Sequence, residues 1–358
     1  MKLLLISYGD VEYNSRLRRL ISVFSRIGEL HTFTRGKELL TEYGKTCNAS
    51  YLSFVVSAMN YARKLDSVDL LILDNRRATI PGLLIKTQKH PAYTVQDCRE
   101  LYLFDEVRYF TGKVGCIFEK GMARKADIII CANNERAEIM KNRFSLTKRP
   151  LVYENIRRLE YTTNEEKKLA RQKLAPFLKE DEIRIISLSA CSINRTDDVL
   201  VKNLQRVQKK CRLFLAGDSK PSDEKVIKNL IVPDLRNKIT ILGQLNRSEL
   251  KYLVSHCHIG IVNYGQYDTN NKYCASGKLY EYLYEGIPVV TTTNLPLKRI
   301  CDEEKIGVAD NQFADGIDEV LSHYETYKEN VRNYTERVTI ADNDNRLINE
   351  IERMLRGS

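Results

Sequence analysis

The stretch Ala275-Ser276-Gly277-Lys278-Leu279-Tyr280-Glu281-Tyr282-Leu283-Tyr284-Glu285-Gly286-Ile287-Pro288-Val289-Val290 decides the fold of this chain. It predicts a loop of small residues, a short helix that stops at a glycine, and a buried strand after a proline. Ser276 and Gly277 at the helix start expose backbone N–H groups, and the helix dipole adds partial positive charge there. Lys278 adds a full positive charge that the dipole alone disfavours. We therefore expect an anion, such as phosphate, to bind at this position.

The predicted helix has two faces of different chemistry. One face carries polar side chains suited to a ligand: Lys278, Glu281, Tyr282 and Glu285. The other face is suited to a core: Leu279, Leu283 and Gly286. The alternative is an ordinary amphipathic helix whose charges are simply solvated.

The same stretch resembles a known donor-binding motif. The pattern S-x-K-L-x-E-Y-L-x-x-G-x-P-V-V is similar to the signature of GT-B glycosyltransferases that use nucleotide sugars, of the group 1 or family 4 type. In that family the Lys and adjacent backbone amides bind the diphosphate, and the Glu accepts hydrogen bonds from the ribose hydroxyls. The resemblance therefore implies diphosphate binding by Ser276, Gly277 and Lys278, and ribose binding by Glu281.

Length and composition indicate a soluble protein of two domains. At 358 residues the chain exceeds the size at which one hydrophobic core suffices. Hydrophobic content of 43% and charged content of 29% are typical of globular proteins. The apolar run at residues 1–7 is too short for a signal peptide, and no run approaches the ~20 apolar residues of a membrane span. We expect a cytoplasmic protein, either free or bound at the inner face of the plasma membrane.

Cysteine and histidine patterns favour buried thiols over a metal centre. Nine cysteines are scattered without a C-x-x-C pair, which is typical of reduced cysteines. His256-Cys257-His258 has the look of a metal cluster, but it precedes an apolar run and is expected to end a helix and begin a strand. Neither domain has the D-x-D pair of metal-dependent transferases in the right place. We expect no metal and no cofactor, with a nucleotide sugar as co-substrate.

The net charge of +10 favours polyanionic partners. Nucleic acid is not expected, because the basic residues are dispersed and no nucleic-acid-binding motif is present. Residues 101–125 interleave aromatic and basic side chains. Such a segment predicts either a helix in the headgroup layer of an anionic membrane or an amphipathic helix that covers a sheet. Both alternatives stay open.

Strand and helix patterns alternate along both halves of the chain. This alternation predicts two doubly wound parallel-sheet domains, and the resemblance implies the GT-B arrangement, in which they face a cleft. We expect an acceptor-binding domain at 1–157, beginning with the strand at 2–7, and a donor domain at 158–335, which opens with a polar helical segment. The resemblance also implies that a C-terminal helix at 336–358 returns to the first domain.

Ligands bind at the carboxyl ends of strands in such domains. In the second domain this rule selects the loops that contain Arg195, Gly217, Gln244 and Lys278. The resemblance implies that Arg195 meets the diphosphate and that Gln244 and Leu245 hold the nucleobase through backbone hydrogen bonds. A solvated loop arginine is the alternative for Arg195.

Two departures from the family pattern concern the sugar. Many retaining members carry a second glutamate where this chain has Tyr273, so the resemblance assigns no sugar contact and no stereochemical outcome. The loop Ser189-Ala190-Cys191 also lacks the glycine usually found there.

In the first domain the same rule selects loops that contain Gly9, Asp10, Gln96 and Asp97. Gly9 permits close approach of an acceptor. Asp97 is the candidate general base if the enzyme inverts configuration, with Gln96 where related proteins have His. A helix N-cap is the alternative role for Asp97. Glu119 and Asp10 are weaker candidates for acid–base chemistry.

The resulting prediction is a metal-independent glycosyltransferase, hexosyl or related. It moves a sugar, from a UDP-sugar first, to a saccharide or lipid-linked acceptor. Capsule, lipopolysaccharide or other cell-surface polysaccharide synthesis is the implied setting. The alternatives are a nucleotide-sugar epimerase of the same fold and a non-catalytic module that binds nucleotide sugars. A dinucleotide-dependent enzyme is disfavoured because no G-x-G-x-x-G follows a strand.

Overall fold

A computed structural model describes residues 1–12 and 14–356 of the chain. It divides into two compact units. Unit 1 comprises Met1–Asn155 together with the chain from Ile340 onward, and unit 2 comprises Ile156–Thr339. The domain limits predicted from the sequence lie at 157/158 and 335/336, whereas the two units divide at 155/156 and 339/340. The predicted limits remain predictions.

Unit 1 is built on a sheet of seven parallel strands in the order β3-β2-β1-β4-β5-β6-β7. The strands are β1 (Lys2–Asp10), β2 (Glu29–Arg35), β3 (Tyr43–Thr46), β4 (Leu70–Asp74), β5 (Tyr93–Asp97), β6 (Ile128–Cys131) and β7 (Leu151–Val152). The helices between them are α1 (Ser15–Phe24), α2 (Tyr51–Arg63), α3 (Thr79–Lys89), α4 (Phe110–Ala123) and α5 (Asn134–Arg143).

The first strand shows why the sheet of unit 1 is buried on both faces. Successive side chains of a strand point to opposite faces. Leu3 and Leu5 pack into a cluster with α1, whereas Leu4 and Ile6 pack into a second cluster with α2. A strand that is apolar at four successive positions, Leu3 to Ile6, therefore needs helices on both sides, which is the doubly wound arrangement.

Unit 2 is built on six parallel strands in the order β10-β9-β8-β11-β12-β13. The strands are β8 (Ile183–Ser187), β9 (Cys211–Ala216), β10 (Ile239–Gly243), β11 (Ile259–Val262), β12 (Val289–Thr291) and β13 (Gly307–Ala309). The helices are α6 (Asn164–Leu174), α7 (Asp197–Asn203), α8 (Pro221–Leu230), α9 (Arg247–Val254), α10 (Thr269–Lys272), α11 (Gly277–Leu283), α12 (Leu295–Glu304), α13 (Ala314–Ser322) and α14 (Tyr324–Arg337). The predicted α/β class with two doubly wound parallel sheets is confirmed.

The final helix, α15 (Ile340–Arg356), belongs to unit 1. Leu347 and Ile351 are buried in the same cluster as α1. Asp344 anchors the helix, because Arg19 of α1 pairs with it at 2.6 Å and the Tyr153 hydroxyl donates to it at 2.7 Å. The first unit is thus completed by the last segment of the chain.

Three local predictions can be compared with the structure. Helical structure within 101–125 is confined to α4, so the prediction of a helix from residue 101 is wrong for its first nine residues. The polar segment 157–181 is helical at α6 and at a short turn that follows it, not throughout. His256-Cys257-His258 lies between α9 and β11, as predicted. No helix within residues 1–12 and 14–356 combines the length and the apolar character that a membrane crossing requires.

Candidate functional site

The strand order of unit 2 places a site at the end of β8. Strands β8 and β11 are neighbours, and the chain winds away from them in opposite directions. Such a switch point leaves a crevice at the carboxyl ends of the two strands. Three side chains meet there: the Ser189 hydroxyl donates to Asn263 at 2.6 Å, and the Lys278 ammonium donates to Ser189 at 3.2 Å. The structure therefore brings Lys278 of α11 to the crevice.

Lys278 is partly buried among charged groups. Burial and the nearby Arg195 guanidinium lower the pKa of Lys278 to about 8, against the attraction of Asp197 and Glu281. Burial disfavours an ammonium ion, and a like charge disfavours it further. The positive charge of Lys278 is thus held at the crevice at a cost in electrostatic free energy, and a bound anion would reduce that cost.

Asp197 is the carboxylate of this cluster, and the sequence reasoning missed it. Its two oxygens accept hydrogen bonds from the Ser187 hydroxyl, the Asn263 amide and the Ser192 backbone N–H at 2.8–3.0 Å. Burial raises the pKa of Asp197 to about 6. Its position two residues after Arg195, at the start of α7, was a usable signal, because this loop had already been selected.

Arg195 lies over the ring of Tyr264, with its guanidinium carbon 3.8 Å from the ring centre. Its Nη1 is buried and makes no hydrogen bond with any residue in 1–12 or 14–356. A buried donor without a partner is costly unless a ligand supplies the acceptor. The next residue, Thr196, has a φ of 61°, which is unusual for a β-branched residue. These two features are consistent with a loop shaped around a ligand.

Glu281 pairs with Arg157, with 2.7 Å between Oε1 and Nε. The same arginine explains the glycine at the start of α11, because a Cβ on Gly277 would lie 2.4 Å from Arg157 Nε. Arg157 therefore adds a third cation near Lys278 and Arg195. Nothing in the local sequence pattern pointed to it, since it lies 121 residues before Lys278.

The polar face predicted for α11 is smaller than expected. Tyr282 is fully buried, and its hydroxyl accepts a hydrogen bond from the Leu188 backbone N–H at 3.0 Å. Glu285 pairs with Lys251 at 2.6 Å. The expectation that Tyr282 faces a ligand is therefore wrong, and Lys278 and Glu281 remain the candidates on this helix for contact with a ligand. The helix stop is confirmed, since Gly286 follows the helix with a φ of 75°.

The remaining donor-site residues lie on the neighbouring loops of unit 2. Gly217 follows β9, and its N–H donates to the Gly243 carbonyl at 2.7 Å. Gln244 is exposed and Leu245 is buried, directly after β10. Ser276 caps α11 by accepting from the Leu279 N–H at 3.4 Å, and Tyr273 follows α10. Their roles toward a nucleotide stay predictions.

Ala190 occupies the loop position where the family usually has glycine. Its φ is 65°, a left-handed conformation that costs an alanine roughly 1–2 kcal/mol. We expect Ala190→Gly to raise the free energy of unfolding of unit 2 by about 0.5–1 kcal/mol, since relief of strain exceeds the entropy that glycine adds to the unfolded chain. Urea unfolding would measure the effect, with Ala170→Gly inside α6 as a control that should be destabilised. An Ala190→Gly protein that is less stable than wild type would contradict this expectation.

In unit 1 the predicted residues lie at the ends of β1 and β5. Asp97 is fully buried and forms a two-pronged ion pair with Arg16, at 2.7 and 2.8 Å. Burial lowers the pKa of the Arg16 guanidinium, but the neighbouring Asp97 carboxylate raises it by more, so that the pKa is raised overall. The alternative of a helix N-cap is wrong, because the next helix after Asp97 begins at Phe110. The general-base role of Asp97 remains a prediction. Its ion pair with Arg16 gives Asp97 a structural role as well.

The other first-unit candidates differ in burial. Gly9 is partly buried, and its N–H donates to the Ser7 hydroxyl at 3.0 Å. Asp10 accepts a hydrogen bond from the Glu12 N–H at 3.0 Å. Gln96 is fully buried. Burial raises the pKa of Glu119, on α4, to about 8.

Within residues 1–12 and 14–356, no three His, Cys, Asp or Glu side chains form a group that could hold a metal ion.

Comparison with known proteins gives a consistent picture. Residues 184–323 match a family model described as Glycosyl transferases group 1. The whole chain is similar in structure to sucrose-phosphate synthase (tll1590) from Thermosynechococcus elongatus, with a TM-score of 0.78, 16% identity and 100% of both chains covered. It is similar to Anabaena Alr3699/HepE in complex with UDP and glucose, with a TM-score of 0.76 and 15% identity over 99% of this chain and 100% of that one.

A third similar structure is WaaG, a glycosyltransferase involved in lipopolysaccharide biosynthesis, with a TM-score of 0.68. The identity is 13%, and 98% of this chain and 99% of that chain are covered. A search of curated proteins found no match to the sequence. The GT-B fold is therefore confirmed, and residues 184–323 are similar to glycosyl transferases group 1.

Proposed function

We propose that this chain, which has the GT-B fold and matches the glycosyl transferases group 1 model over residues 184–323, is a glycosyltransferase. In this proposal unit 2 binds a nucleoside diphosphate sugar, a UDP-sugar first, and the sugar passes to a saccharide or lipid-linked acceptor. The observation that carries the proposal is the cluster at the end of β8. There a partly buried lysine with a lowered pKa lies beside two arginines, and one arginine has a buried, unpartnered donor.

The cluster suits the chemistry of a departing diphosphate. Breaking the bond between the sugar and the diphosphate leaves negative charge on the β-phosphate, and fixed cations stabilise that charge without reorganisation. We assign this role to Lys278 and Arg195. Glu281, held by Arg157, is assigned to the ribose hydroxyls, which donate to a carboxylate. With these cations in place we propose that transfer needs no divalent metal.

Acceptor and setting belong to the same proposal. HepE binds UDP-glucose, and WaaG acts in lipopolysaccharide biosynthesis, so cell-surface saccharide synthesis is the setting that we propose. Contact with an anionic membrane stays a prediction. It is supported by Tyr109 and Phe110 at the start of α4, each with 80% of its surface exposed, near the basic Lys113.

Calorimetric titration with UDP in the presence of EDTA tests the donor site. We expect binding without metal, with an affinity that changes little around pH 7, where the terminal phosphate of UDP is ionised, and falls by up to about tenfold per pH unit above about pH 8. The sign follows from Lys278, whose pKa of about 8 in the free protein means that rising pH removes its charge, and only the charged form pairs with phosphate. A strict need for magnesium, or an affinity that rises above pH 8, would contradict the assignment.

The epimerase and the non-catalytic module remain the alternatives. Incubation with a UDP-sugar, with and without an added saccharide acceptor, separates them: an epimerase changes the sugar without an acceptor, a transferase releases UDP as the sugar passes to the acceptor, and a binding module does neither. Chromatography of the nucleotide products would identify which of the three reactions occurs.

A further inference from the structure

Unit 1 has a switch point of its own, and a cavity lies there. Strands β1 and β4 are neighbours at the centre of the sheet, and the chain winds away from them in opposite directions. A cavity of 260 Å³ is lined by the loops that follow β1, β4 and β5. Its lining includes three arginines, two tyrosines and an aspartate: Arg76, Arg77, Arg99, Tyr8, Tyr102 and Asp74. The established position of ligands in such sheets makes this cavity a binding site candidate.

The arginines are held in place by neutral groups. The guanidinium of Arg76 lies 4.4 Å from the centre of the Tyr102 ring, and that of Arg77 lies 5.2 Å from the centre of the Tyr8 ring. Arg99 donates to the Asn14 amide oxygen at 2.7 Å. An arginine stacked on an aromatic ring keeps N–H groups along its edge for another partner. The three cations are therefore ordered before any ligand arrives.

Carboxylates act on these arginines only at longer range: the charge of Arg99 opposes the rise in the pKa of Asp74, and the charge of Arg76 opposes the rise in the pKa of Glu119. Within residues 1–12 and 14–356, none of the three arginines has a carboxylate oxygen within ion-pair distance. Glu100 also lines the cavity and forms no ion pair there, within the same described part of the chain. Three guanidinium charges in one cavity are unfavourable without an anion.

The inner wall of the cavity holds a buried carboxylate with an unsatisfied oxygen atom. Asp74 is 2% exposed, and its Oδ2 accepts a hydrogen bond from the Ser7 hydroxyl at 2.5 Å. Its Oδ1 is buried and has no hydrogen-bond partner among the described residues. Burial raises the pKa of Asp74, while the charge of Arg99 opposes that rise. A buried polar atom without a partner at the wall of a cavity indicates a site that a polar ligand completes.

We propose that this cavity binds a phosphoryl group of the acceptor, through Arg76, Arg77 and Arg99. One arginine pairs with a carboxylate through two parallel hydrogen bonds, whereas three arginines offer more donors than its two oxygens can use. A phosphoryl group carries three acceptor oxygens and a charge of up to about −2, which matches the set. The inference rests on the proposed function, because it names the acceptor class of that transferase. The phosphate belongs either to a lipid or to a soluble phosphorylated saccharide.

The test compares four forms of the full chain by calorimetric titration with glycerol 3-phosphate. They are wild type, the double variant Arg77→Gln/Arg99→Gln, the double variant Arg77→Lys/Arg99→Lys, and the control Arg26→Gln, which changes an exposed arginine of the same unit outside the cavity. We expect wild type and Arg26→Gln to bind alike. The glutamine double variant should bind at least about tenfold more weakly. Arg77→Lys/Arg99→Lys should recover part of the affinity, which separates loss of charge from loss of fold.

A second arm identifies the source of the phosphate. Sedimentation with phosphatidylcholine vesicles, with and without phosphatidic acid, uses the same four proteins. Binding to the soluble ester means that phosphate alone suffices, and arginine-dependent binding only to phosphatidic acid vesicles assigns the phosphate to a lipid. Absence of binding in both arms, or equal affinity of wild type and the glutamine double variant, overturns the inference. A UDP titration of the same proteins keeps the two proposals apart, since failure of wild type to bind UDP counts against the donor site alone.

Discussion

Asp97→Ala is expected to lower the free energy of unfolding of unit 1 by about 3–5 kcal/mol, the range measured when one partner of a buried ion pair is removed. The reason is that Arg16, with 7% of its surface exposed, would keep its charge without its carboxylate. Its remaining hydrogen bonds go to the Tyr153 carbonyl and the Asn155 side chain, which are neutral. Urea unfolding measures the loss.

Two controls interpret that result. Asp105→Ala breaks the exposed pair of Asp105 with Arg143 and should cost no more than about 1 kcal/mol. The double variant Arg16→Ala/Asp97→Ala should lose less than the two single losses added together, because the removed charges are those that paired. An Asp97→Ala protein as stable as the Asp105→Ala control would show that the buried pair does not hold the fold.

The same residue allows a test of chemistry. Asp97→Asn keeps the shape of the side chain and removes its charge. If Asp97 is the general base, transfer should cease while UDP binding stays intact. Transfer at a near-normal rate would leave Asp97 with the structural role alone.

Lys278→Met is expected to weaken UDP binding by about 1.5–3 kcal/mol, roughly ten- to a hundredfold. The variant keeps the apolar stem of the side chain and removes the charge that the crevice holds at a cost. It should also abolish the fall in affinity above pH 8, because the group responsible for that fall is gone. Calorimetric titration over the same pH range measures both effects.

The matched control is Lys202→Met on α7. Lys202 is an exposed lysine that pairs with Asp198, so its loss should leave the affinity for UDP unchanged. Equal weakening in both variants would point to net charge as the cause. An unchanged affinity in Lys278→Met would remove Lys278 from the donor site.

The fold was predictable because its signals are local. The apolar run of β1 and the glycine and proline around α11 indicate their structure within a few residues. The strand-end rule then selects, from the sequence alone, the loops that hold Arg195 and Lys278. The same rule applies to the loop after β4, where Asp74 and Arg76 line the cavity of unit 1.

The partners of these residues were not predictable, because they come from distant segments. Arg16 lies 81 residues before Asp97, and no period or spacing connects them. Tyr282 was misplaced for a related reason, since helical spacing alone cannot tell which part of a polar face the neighbouring strands will bury. Which buried charges pair depends on how distant segments pack against one another, and local sequence patterns do not specify that packing.

The return of α15 to unit 1 has a consequence for how the protein is made. A ribosome releases the chain from its beginning, and domains fold as their segments emerge. Unit 2 is contiguous, so it can close as soon as residue 339 is free. The cluster around α1 must wait for Leu347 and Ile351, which are synthesised after the whole of unit 2. We therefore expect the unit begun first to be finished last, with apolar surface that needs protection during translation.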